Sequence, residues 1–178
     1  MSTQSDCGKT FANGAPPSLT NMSVLGEVVW LMAHSALHQG WPINSIMQWV
    51  IPALLHRQCR LYHRDGRPVA YVAWAGLSKD VEENYVLNPR SLQPKDWISG
   101  QRRWLIDWIA PFGDSAAVIR DLRSGLFKEE VGRALRVKPG SDQMRIVYLH
   151  GANARNKAKN DIFNPTVDLQ GAAHRAGL

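Results

Sequence analysis

Residues 103–110 read RWLIDWIA, a strongly apolar stretch with the length of one β-strand. Strand alternation places Asp107 on the same face as Leu105 and Ile109, and the opposite face is wholly apolar. Pro111 follows directly and ends the strand, because proline has no N–H to donate to a neighbouring strand. The stretch therefore predicts a central strand of a sheet that carries one acidic side chain among apolar neighbours.

The segments on both sides of this strand predict more of the same sheet. Aromatic and β-branched residues flank Asp65-Gly66, a dipeptide typical of tight turns, so a β-hairpin is expected there. The remaining predicted elements are strands over residues 59–64, 68–75, 131–137 and 144–150 and a helix over residues 114–123. Residues 79–101 are polar and contain two prolines, and no element is predicted in them.

Two helices are predicted before the hairpin. The first runs from Ser23, which can cap it, to about His34, because apolar residues recur there at helical spacing. The second begins at Pro42, and Pro52 should kink or end it. Helices that lead into a hairpin, a central strand, a helix and more strands predict an α+β (mixed sheet) fold.

The length and composition of the chain favour one domain with flexible ends. With 178 residues and 44% hydrophobic content, it can bury one sizeable core. Residues 1–22 are polar and rich in glycine and proline, so they predict a flexible N-terminal arm before a folded domain over residues 23–150. Residues 151–178 are basic and predict a weakly ordered segment or a short docked helix.

The charge of the chain points to an acidic partner. Lysine and arginine number 21 against 15 aspartates and glutamates, which gives a net charge of +6. Such a surface attracts nucleic acid, anionic lipid or an acidic protein. Charge alone does not choose among these, but no RNA- or DNA-binding signature is present, so a nucleic acid partner is not expected.

The compartment is predicted from what the sequence does not contain. No stretch approaches the ~20 apolar residues of a bilayer span, and the polar start lacks the apolar region of a secretory signal. Cys7 and Cys59 make neither a disulfide framework nor a zinc quartet. We therefore expect a protein of the reducing cytoplasm with no transmembrane segment.

Asp107 is the first candidate for chemistry. Burying an unpaired carboxylate costs several kcal/mol, so Asp107 must either raise its pKa or find a cationic or hydrogen-bonding partner. A buried aspartate that only ties down a loop or an arginine is an equally open interpretation, because structural ion pairs perturb pKa values too.

His38 is the second candidate, in the segment HSALHQGWP at residues 34–42. This segment predicts a corner between two helices, and a lone histidine at a corner is more often a packing or capping residue than a catalyst. A histidine polarised by a buried aspartate is, however, a competent general base near neutral pH. The pair of His38 and Asp107 is therefore the sharper hypothesis.

Two other patterns around His38 carry less weight. His34 and His38 are four residues apart and could chelate a metal ion, but neither an H-E-x-x-H arrangement nor a cysteine cluster accompanies them, so no metal site is expected. Ser35 lies three residues before His38, yet the chain has no G-x-S-x-G elbow of a serine hydrolase. Ser35 is better interpreted as a hydrogen-bond donor or a turn cap.

Four blocks of sequence carry a resemblance to a known family. They are LGEVVWL at residues 25–31, SALHQGWP at residues 35–42, PVAY with WA within residues 68–75, and IDWIAPFGD at residues 106–114. In order and over about residues 25–150, the chain resembles the RTX toxin-activating lysine acyltransferases. Two blocks as long and unusual as SALHQGWP and IDWIAPFGD, in register, are far more specific than a short motif.

The resemblance implies a fold, a reaction and roles for four residues. The implied fold is GNAT-like, the implied donor is an acylated acyl carrier protein, with no other cofactor bound, and the implied target is an internal lysine of an RTX protoxin in the same cytoplasm. The family's catalytic histidine and aspartate fall on His38 and Asp107. Ser35 and Arg136 fall on positions expected to contact substrate or oxyanion.

Three alternatives stay open at this point. One is a coenzyme A-dependent GNAT enzyme, although the pyrophosphate-binding loop R-x-x-G-x-G of those enzymes is not found in the chain. Another is a non-catalytic basic binding module. Within the acyltransferase hypothesis, direct transfer and an acyl-histidine intermediate are both open, as is a homodimer.

Overall fold

The computed structural model describes residues 4–6, 19–137 and 144–154. Within these ranges the elements are β1 (Gln4–Asp6), α1 (Leu19–Ala33), α2 (Ile51–Leu55), β2 (Cys59–Arg64), β3 (Arg67–Leu77), α3 (Lys79–Leu87), β4 (Arg102–Ile109), α4 (Ser115–Ser124), β5 (Val131–Val137) and β6 (Met144–His150). The strands are hydrogen-bonded in chain order, from β1 to β6. β4 pairs with β5 in parallel, whereas β1 with β2, β2 with β3 and β5 with β6 are antiparallel. This mixed sheet confirms the predicted α+β class and fits a GNAT-like fold.

The Cα positions divide the chain into two compact units. The first unit consists of Met1–Ala75 and Ile106–Val118, and the second of Gly76–Leu105 and Ile119–Leu178. His38, Tyr71 and Asp107 therefore belong to the first unit.

The hairpin of the first unit forms where the sequence predicts it. Asp65 and Gly66 both have positive φ angles, 53° and 73°, as a two-residue turn of type I′ requires. This turn matches the right-handed twist of the strands and joins β2 to β3. Almost all of β3 is buried, from Val69 to Leu77. Burial on both faces explains why β3 reads as a continuous apolar run and not as an alternating one.

Two helix predictions in the first unit need correction. α1 begins at Leu19, four residues before the predicted cap at Ser23. The second helix does not start at Pro42, because turns follow that residue and a π-helical turn over Ile46–Val50 leads into α2. Pro52 lies in the first turn of α2, so it begins this helix and does not end it. A proline is tolerated there because the N–H groups of a first turn have no partner within the helix.

The second unit contains a helix that the polar composition of residues 79–101 concealed. The hydroxyl of Ser78 accepts the backbone N–H of Val81 and caps α3. Glu82 of this helix is fully buried, and its carboxylate accepts the Nε–H of Arg102 at 2.5 Å and the indole N–H of Trp104 at 2.8 Å. The buried guanidinium of Arg133 lies 3.4 Å from the same carboxylate. These three partners of Glu82 lie 20 or more residues away along the chain, so its burial has no local signal in the sequence.

The remaining predictions concern the last two strands, the C-terminal segment, the cysteines and membrane spans. Strands β5 and β6 have the predicted bounds. Residues 155–178 of the predicted C-terminal segment lie outside the described residues. Cys59 is disulfide-bonded, a state that the expected reducing compartment does not favour. In the described ranges, no helix is long and apolar enough to cross a membrane.

Candidate active site

His38 lies in a tight corner after α1, and its side chain is buried. The helix ends at Ala33, and successive turns then form, with the backbone N–H of His38 bonded to the carbonyl of Ser35 at 3.0 Å and that of Trp41 bonded to the carbonyl of His38 at 2.9 Å. The imidazole is 3% exposed, and its ring centre lies 4.6 Å from that of Trp41. The corner therefore holds His38 by backbone bonds on both sides and by an aromatic neighbour.

The structure brings His38 and Asp107 together across 69 positions of sequence. Nε2 of His38 lies 2.9 Å from Oδ1 of Asp107, and the side chain of Asp107 is almost completely buried. The same oxygen accepts the backbone N–H of Trp108 at 2.8 Å. The buried aspartate thus has the hydrogen-bonding partner that burial requires, and that partner is a titratable ring.

Ser35 extends this pair into a chain of three side chains. Its Oγ lies 2.7 Å from Nδ1 of His38. An ionised carboxylate only accepts hydrogen bonds, so Nε2 of the neutral ring carries the hydrogen toward Asp107 and Nδ1 has the free lone pair. In this tautomer Ser35 donates to Nδ1. The basic nitrogen of the site is Nδ1.

Tyr71 of β3 is a further polar group in this unit, and the sequence assigned it no role. Its hydroxyl is fully buried and has no hydrogen-bond partner among the residues that the structure describes, and the same holds for Oδ2 of Asp107. Burial, and secondly the charge of Asp107, raise the pKa of Tyr71 well above its usual value. A signal was present in the sequence, because Tyr71 is the one hydroxyl in the apolar segment VAYVAWA.

The loop after β4 is held in place from both sides. Gly113 has a φ angle of 88°, which a residue with a side chain rarely adopts, so the loop needs a glycine there. Arg64 donates to Asp114 at 2.6 Å, and the indole N–H of Trp108 donates to Ser115 at 3.2 Å. The sequence IDWIAPFGD therefore combines the strand that carries Asp107 with the residues that anchor its exit.

His34 does not share a site with His38. Its ring lies 4.2 Å from that of Trp30 and 5.6 Å from that of Phe112, and its Nδ1 bonds the backbone carbonyl of Trp30. Within the described ranges, no three histidine, cysteine or acidic side chains are placed to hold a metal ion. Trp30 also lines a cleft of about 510 Å³ between α1 and the hairpin turn, with Gly26, Glu27 and Arg67 among its walls.

Arg136 lies on β5, in the second unit. Its partner in the register is Arg145 of β6. It is not among the side chains that the first unit brings together around His38. Its role as a substrate contact stays a prediction.

The comparison with known proteins decides the family. The sequence profile of the RTX toxin acyltransferase family matches residues 18–150. The chain belongs to this family. The resemblance inferred from the four sequence blocks is therefore confirmed, and the protein is an acyltransferase.

Three relatives show how far the similarity of this acyltransferase extends. The RTX-I toxin-activating lysine-acyltransferase of Actinobacillus pleuropneumoniae is 44% identical over 145 residues, which cover 82% of this chain and 84% of the relative. A protein-lysine myristoyltransferase of Escherichia coli is 42% identical over 142 residues, 80% of this chain and 83% of the relative. The leukotoxin-activating lysine-acyltransferase of Aggregatibacter actinomycetemcomitans is 39% identical over 143 residues, with coverage of 80% and 84%.

Two of the sequence blocks of this acyltransferase are joined by a hydrogen bond. SALHQGWP forms the corner with Ser35 and His38, and IDWIAPFGD supplies Asp107 and its loop. PVAY supplies Tyr71 of the same unit, and burial, and secondly the charge of Asp107, raise its pKa. The arrangement offers a buried imidazole, oriented by a carboxylate, with one nitrogen that can take up a proton. It is suited to proton transfer from a nucleophile.

Proposed function

We propose that this acyltransferase moves a fatty acyl group from the thioester of an acyl carrier protein to the ε-amino group of an internal lysine of an RTX protoxin. The observation that carries the proposal is the hydrogen-bonded chain from Ser35 through His38 to Asp107 in a member of this family. The names of the relatives as toxin-activating lysine-acyltransferases support the nature of the acceptor.

In the proposed reaction, His38 acts as the general base. A lysine ammonium has an unperturbed pKa of ~10.4, so the acceptor must first release one proton to solvent before it attacks at neutral pH. Its nitrogen then bonds to the thioester carbonyl carbon while Nδ1 of His38 takes up the proton that this nitrogen releases. The C–S bond breaks, and the leaving thiolate receives the proton from His38. The products are an amide on lysine and the free thiol of the carrier.

Asp107 stabilises the protonated ring during this transfer. Its carboxylate lies on Nε2, the nitrogen that keeps its hydrogen throughout, so a positive charge on the ring forms next to a fixed negative charge. The bond from Trp108 fixes the same oxygen and limits rotation of the carboxylate. Asp107 therefore both orients the ring and stabilises the positive charge that forms on it in the transition state.

Ser35 and Arg136 are the proposed contacts to substrate. Ser35 occupies Nδ1 in the present structure, so an approaching amine must displace its hydroxyl from that nitrogen. The displaced hydroxyl can then donate to the oxyanion of the tetrahedral intermediate. For Arg136 the proposal rests on the family resemblance. Arg136→Gln should raise the KM for donor or acceptor. An unchanged KM for both would show that Arg136 does not contact either substrate.

The donor we propose is an acylated carrier protein and not coenzyme A. Acyl carrier proteins are acidic, and a chain with a net charge of +6 attracts them over distance. The reaction rate with an acyl carrier protein should therefore fall as salt is raised. Activity with acyl-coenzyme A that equals activity with the acylated carrier would instead favour a coenzyme A-dependent enzyme.

The main experiment combines the purified protein with acyl carrier protein loaded with chains of several lengths and with a candidate protoxin. Mass spectrometry of the protoxin should find acyl groups on specific internal lysines, and His38→Ala should abolish them. If His38→Ala and Asp107→Ala left acylation unchanged but abolished binding of the protoxin, the chain would be a basic binding module. If a quenched single turnover found an acyl group on His38, the reaction would proceed in two steps through an acyl-histidine intermediate and not by direct transfer.

Two further proposals concern the protein in the cell. We propose the cytoplasm as its compartment, where the disulfide bond of Cys59 would be reduced, so alkylation of denatured extracts from intact cells would find Cys59 as a thiol. A Cys59 that stays protected would argue for an oxidising compartment. We also propose a homodimer, because large apolar side chains such as Ile43 and Met47 are exposed beside the corner. Sedimentation velocity at several concentrations tests this.

A further inference from the structure

The exposed face of helix α1 carries no charge. Among residues 22–33, the part of α1 whose side chains the structure describes, every exposed residue is uncharged. They are Met22, Ser23, Gly26, Val29, Trp30 and Ala33. A surface helix normally presents polar and charged side chains to water, and a contiguous exposed apolar patch indicates a binding site.

An aromatic cluster connects this face of α1 with the loop after β4. The ring of Trp30 lies 4.2 Å from that of His34 and 5.5 Å from that of Phe112. His34 precedes His38 by four residues, and Phe112 follows Asp107 by five. The two segments that bond to each other at His38 and Asp107 therefore meet a second time at this cluster. Trp30 and Phe112 are both 41% exposed, so a ligand can reach it.

The cleft beside Trp30 has the size of a ligand pocket. Its volume of about 510 Å³ falls within the ~300–1,000 Å³ of small-molecule sites. Gly26 forms part of its wall, and a Cβ built there would meet no atom within 4 Å. The carboxylate of Glu27 in the same wall accepts a hydrogen bond from Nε2 of His63. The cleft is therefore open at Gly26, and its acidic group already has a partner.

An alkyl chain fits this surface better than a peptide does. A peptide brings backbone N–H and C=O groups, which cost free energy when they are buried without hydrogen bonds. Gly26 and Phe112 have no polar side-chain atom to satisfy them, and Trp30 has a single N–H. An alkyl chain needs no hydrogen bonds and gains free energy with each CH₂ that leaves water. Arg67, also in the wall of the cleft, can lay its aliphatic stem along such a chain.

We propose that the cleft at Gly26 and the aromatic cluster of Trp30, His34 and Phe112 bind the fatty acyl chain of the donor. The inference rests on the proposed function, because it assigns this surface to the acyl group of that reaction. The thioester carbon lies at His38 during transfer, and the chain runs from there along α1. Since a helix rises about 1.5 Å per residue, the segment from Gly26 to Ala33 spans roughly 10 Å. The size of residue 26 therefore limits the length of the chain.

A photoreactive acyl chain tests the site without requiring transfer. The probe is a saturated fatty acid with a diazirine at the end of its chain, used as the free acid and as the thioester of an acyl carrier protein. Mass spectrometry after irradiation should find cross-links within residues 23–30 or 66–68, and an excess of unlabelled fatty acid should remove them. Cross-links that fall only outside these ranges, or that resist competition, overturn the proposal.

Kinetics test whether the cleft selects the acyl chain. The quantity measured is the kcat/KM for a long-chain donor divided by that for a short-chain donor. Gly26→Leu should lower this ratio by about tenfold or more, the effect of a misfit in an apolar pocket. Ser124→Leu enlarges an exposed residue of α4 that does not line the cleft, and this matched control should keep the ratio of the wild type. An unchanged ratio in Gly26→Leu overturns the proposal.

A smaller substitution makes the result independent of how well leucine is tolerated in α1. Gly26→Ala adds one carbon in open space and should shift the ratio in the same direction by a smaller factor. If Gly26→Leu instead turned a dimer into a monomer in sedimentation velocity and left the ratio unchanged, the face would be a contact between copies of this chain, and the proposal would be overturned. If the wild type transferred no acyl group, the proposed function would fail, whereas competed cross-links would still show that the cleft binds an acyl chain.

Discussion

Oδ1 of Asp107 accepts two hydrogen bonds, from Nε2 of His38 at 2.9 Å and from the backbone N–H of Trp108 at 2.8 Å. The backbone bond fixes an acceptor at this position, so the ring nitrogen that faces it must be a donor. The neutral ring therefore has its lone pair on Nδ1, where Ser35 now donates at 2.7 Å. Both direct transfer and an acyl-histidine intermediate would have to proceed at Nδ1.

Asp107→Asn should lower kcat by about 10² to 10⁴, the range of general base catalysis. The amide oxygen of the variant can still accept from Trp108, so the geometry is retained while the negative charge beside His38 is lost. Steady-state acylation of the protoxin measures the effect, with circular dichroism to confirm folding. A variant with wild-type kcat would show that Asp107 is the purely structural aspartate that the sequence left open.

Ser35→Ala should lower kcat by about 10²- to 10³-fold, the range for one lost hydrogen bond to an oxyanion, and should leave more activity than His38→Ala because the base is kept. The contrasting result would be informative. If Ser35→Ala were as inactive as His38→Ala, Ser35 would be the residue that carries the acyl group. A quenched single turnover of the wild-type protein would then find an acyl group on Ser35.

The elements of this site were predictable to different degrees. β4 and the hairpin were expected because their signals are local: an apolar run that a proline ends, and Asp65-Gly66 with its preference for positive φ. The bond between His38 and Asp107 joins residues 69 positions apart, and strand alternation says only which face of β4 holds the acid. The residues alone therefore gave this pair only as a hypothesis, and the resemblance to a known family was needed to favour His38 over the five other histidines.

The second unit shows the same limit for a buried charge. Nothing in the local sequence of α3 separates Glu82 from its neighbour Glu83, which is only partly buried. What buries Glu82 is the convergence of Arg102, Trp104 and Arg133 from β4 and β5. Tertiary contacts of this kind stabilise a helix within residues 79–101. The polar composition of these residues alone predicts no element there.

Glu82→Gln should lower the free energy of unfolding by about 3–5 kcal/mol, because it removes the buried negative charge that lies 3.4 Å from the guanidinium of Arg133. Glu83→Gln is the matched control one residue away. Glu83 faces Lys79 at 3.9 Å on the surface, where an ion pair contributes about 0–1 kcal/mol. Urea unfolding of both variants measures the difference. Similar losses for the two would mean that the buried cluster does not stabilise the fold.

Tyr71 should make the stability of the protein depend on alkaline pH. Burial and the charge of Asp107 raise its pKa above the usual 10.0, so below pH 10 the phenol is neutral in the folded and the unfolded chain alike. As the pH rises further, the unfolded chain ionises first, and the free energy of unfolding falls by up to about 1.4 kcal/mol per pH unit from this group. Urea unfolding of wild type and Tyr71→Phe should give parallel pH profiles up to about pH 10 and a steeper decline for the wild type beyond it. Profiles that stay parallel throughout would contradict the raised pKa.

Two glycines should respond to alanine with opposite signs. Gly26 lies in the interior of α1, and a Cβ added there meets no atom within 4 Å, so Gly26→Ala should raise the free energy of unfolding by about 0.5–1 kcal/mol through helix propensity. A Cβ on Gly100 would lie 2.5 Å from the backbone oxygen of Leu77, closer than real contacts allow. Gly100→Ala should therefore force the backbone apart and lower the free energy of unfolding by roughly 1–3 kcal/mol. Urea unfolding of the two variants tests this, and a loss of stability in Gly26→Ala would mean that the surface of α1 at this position is covered.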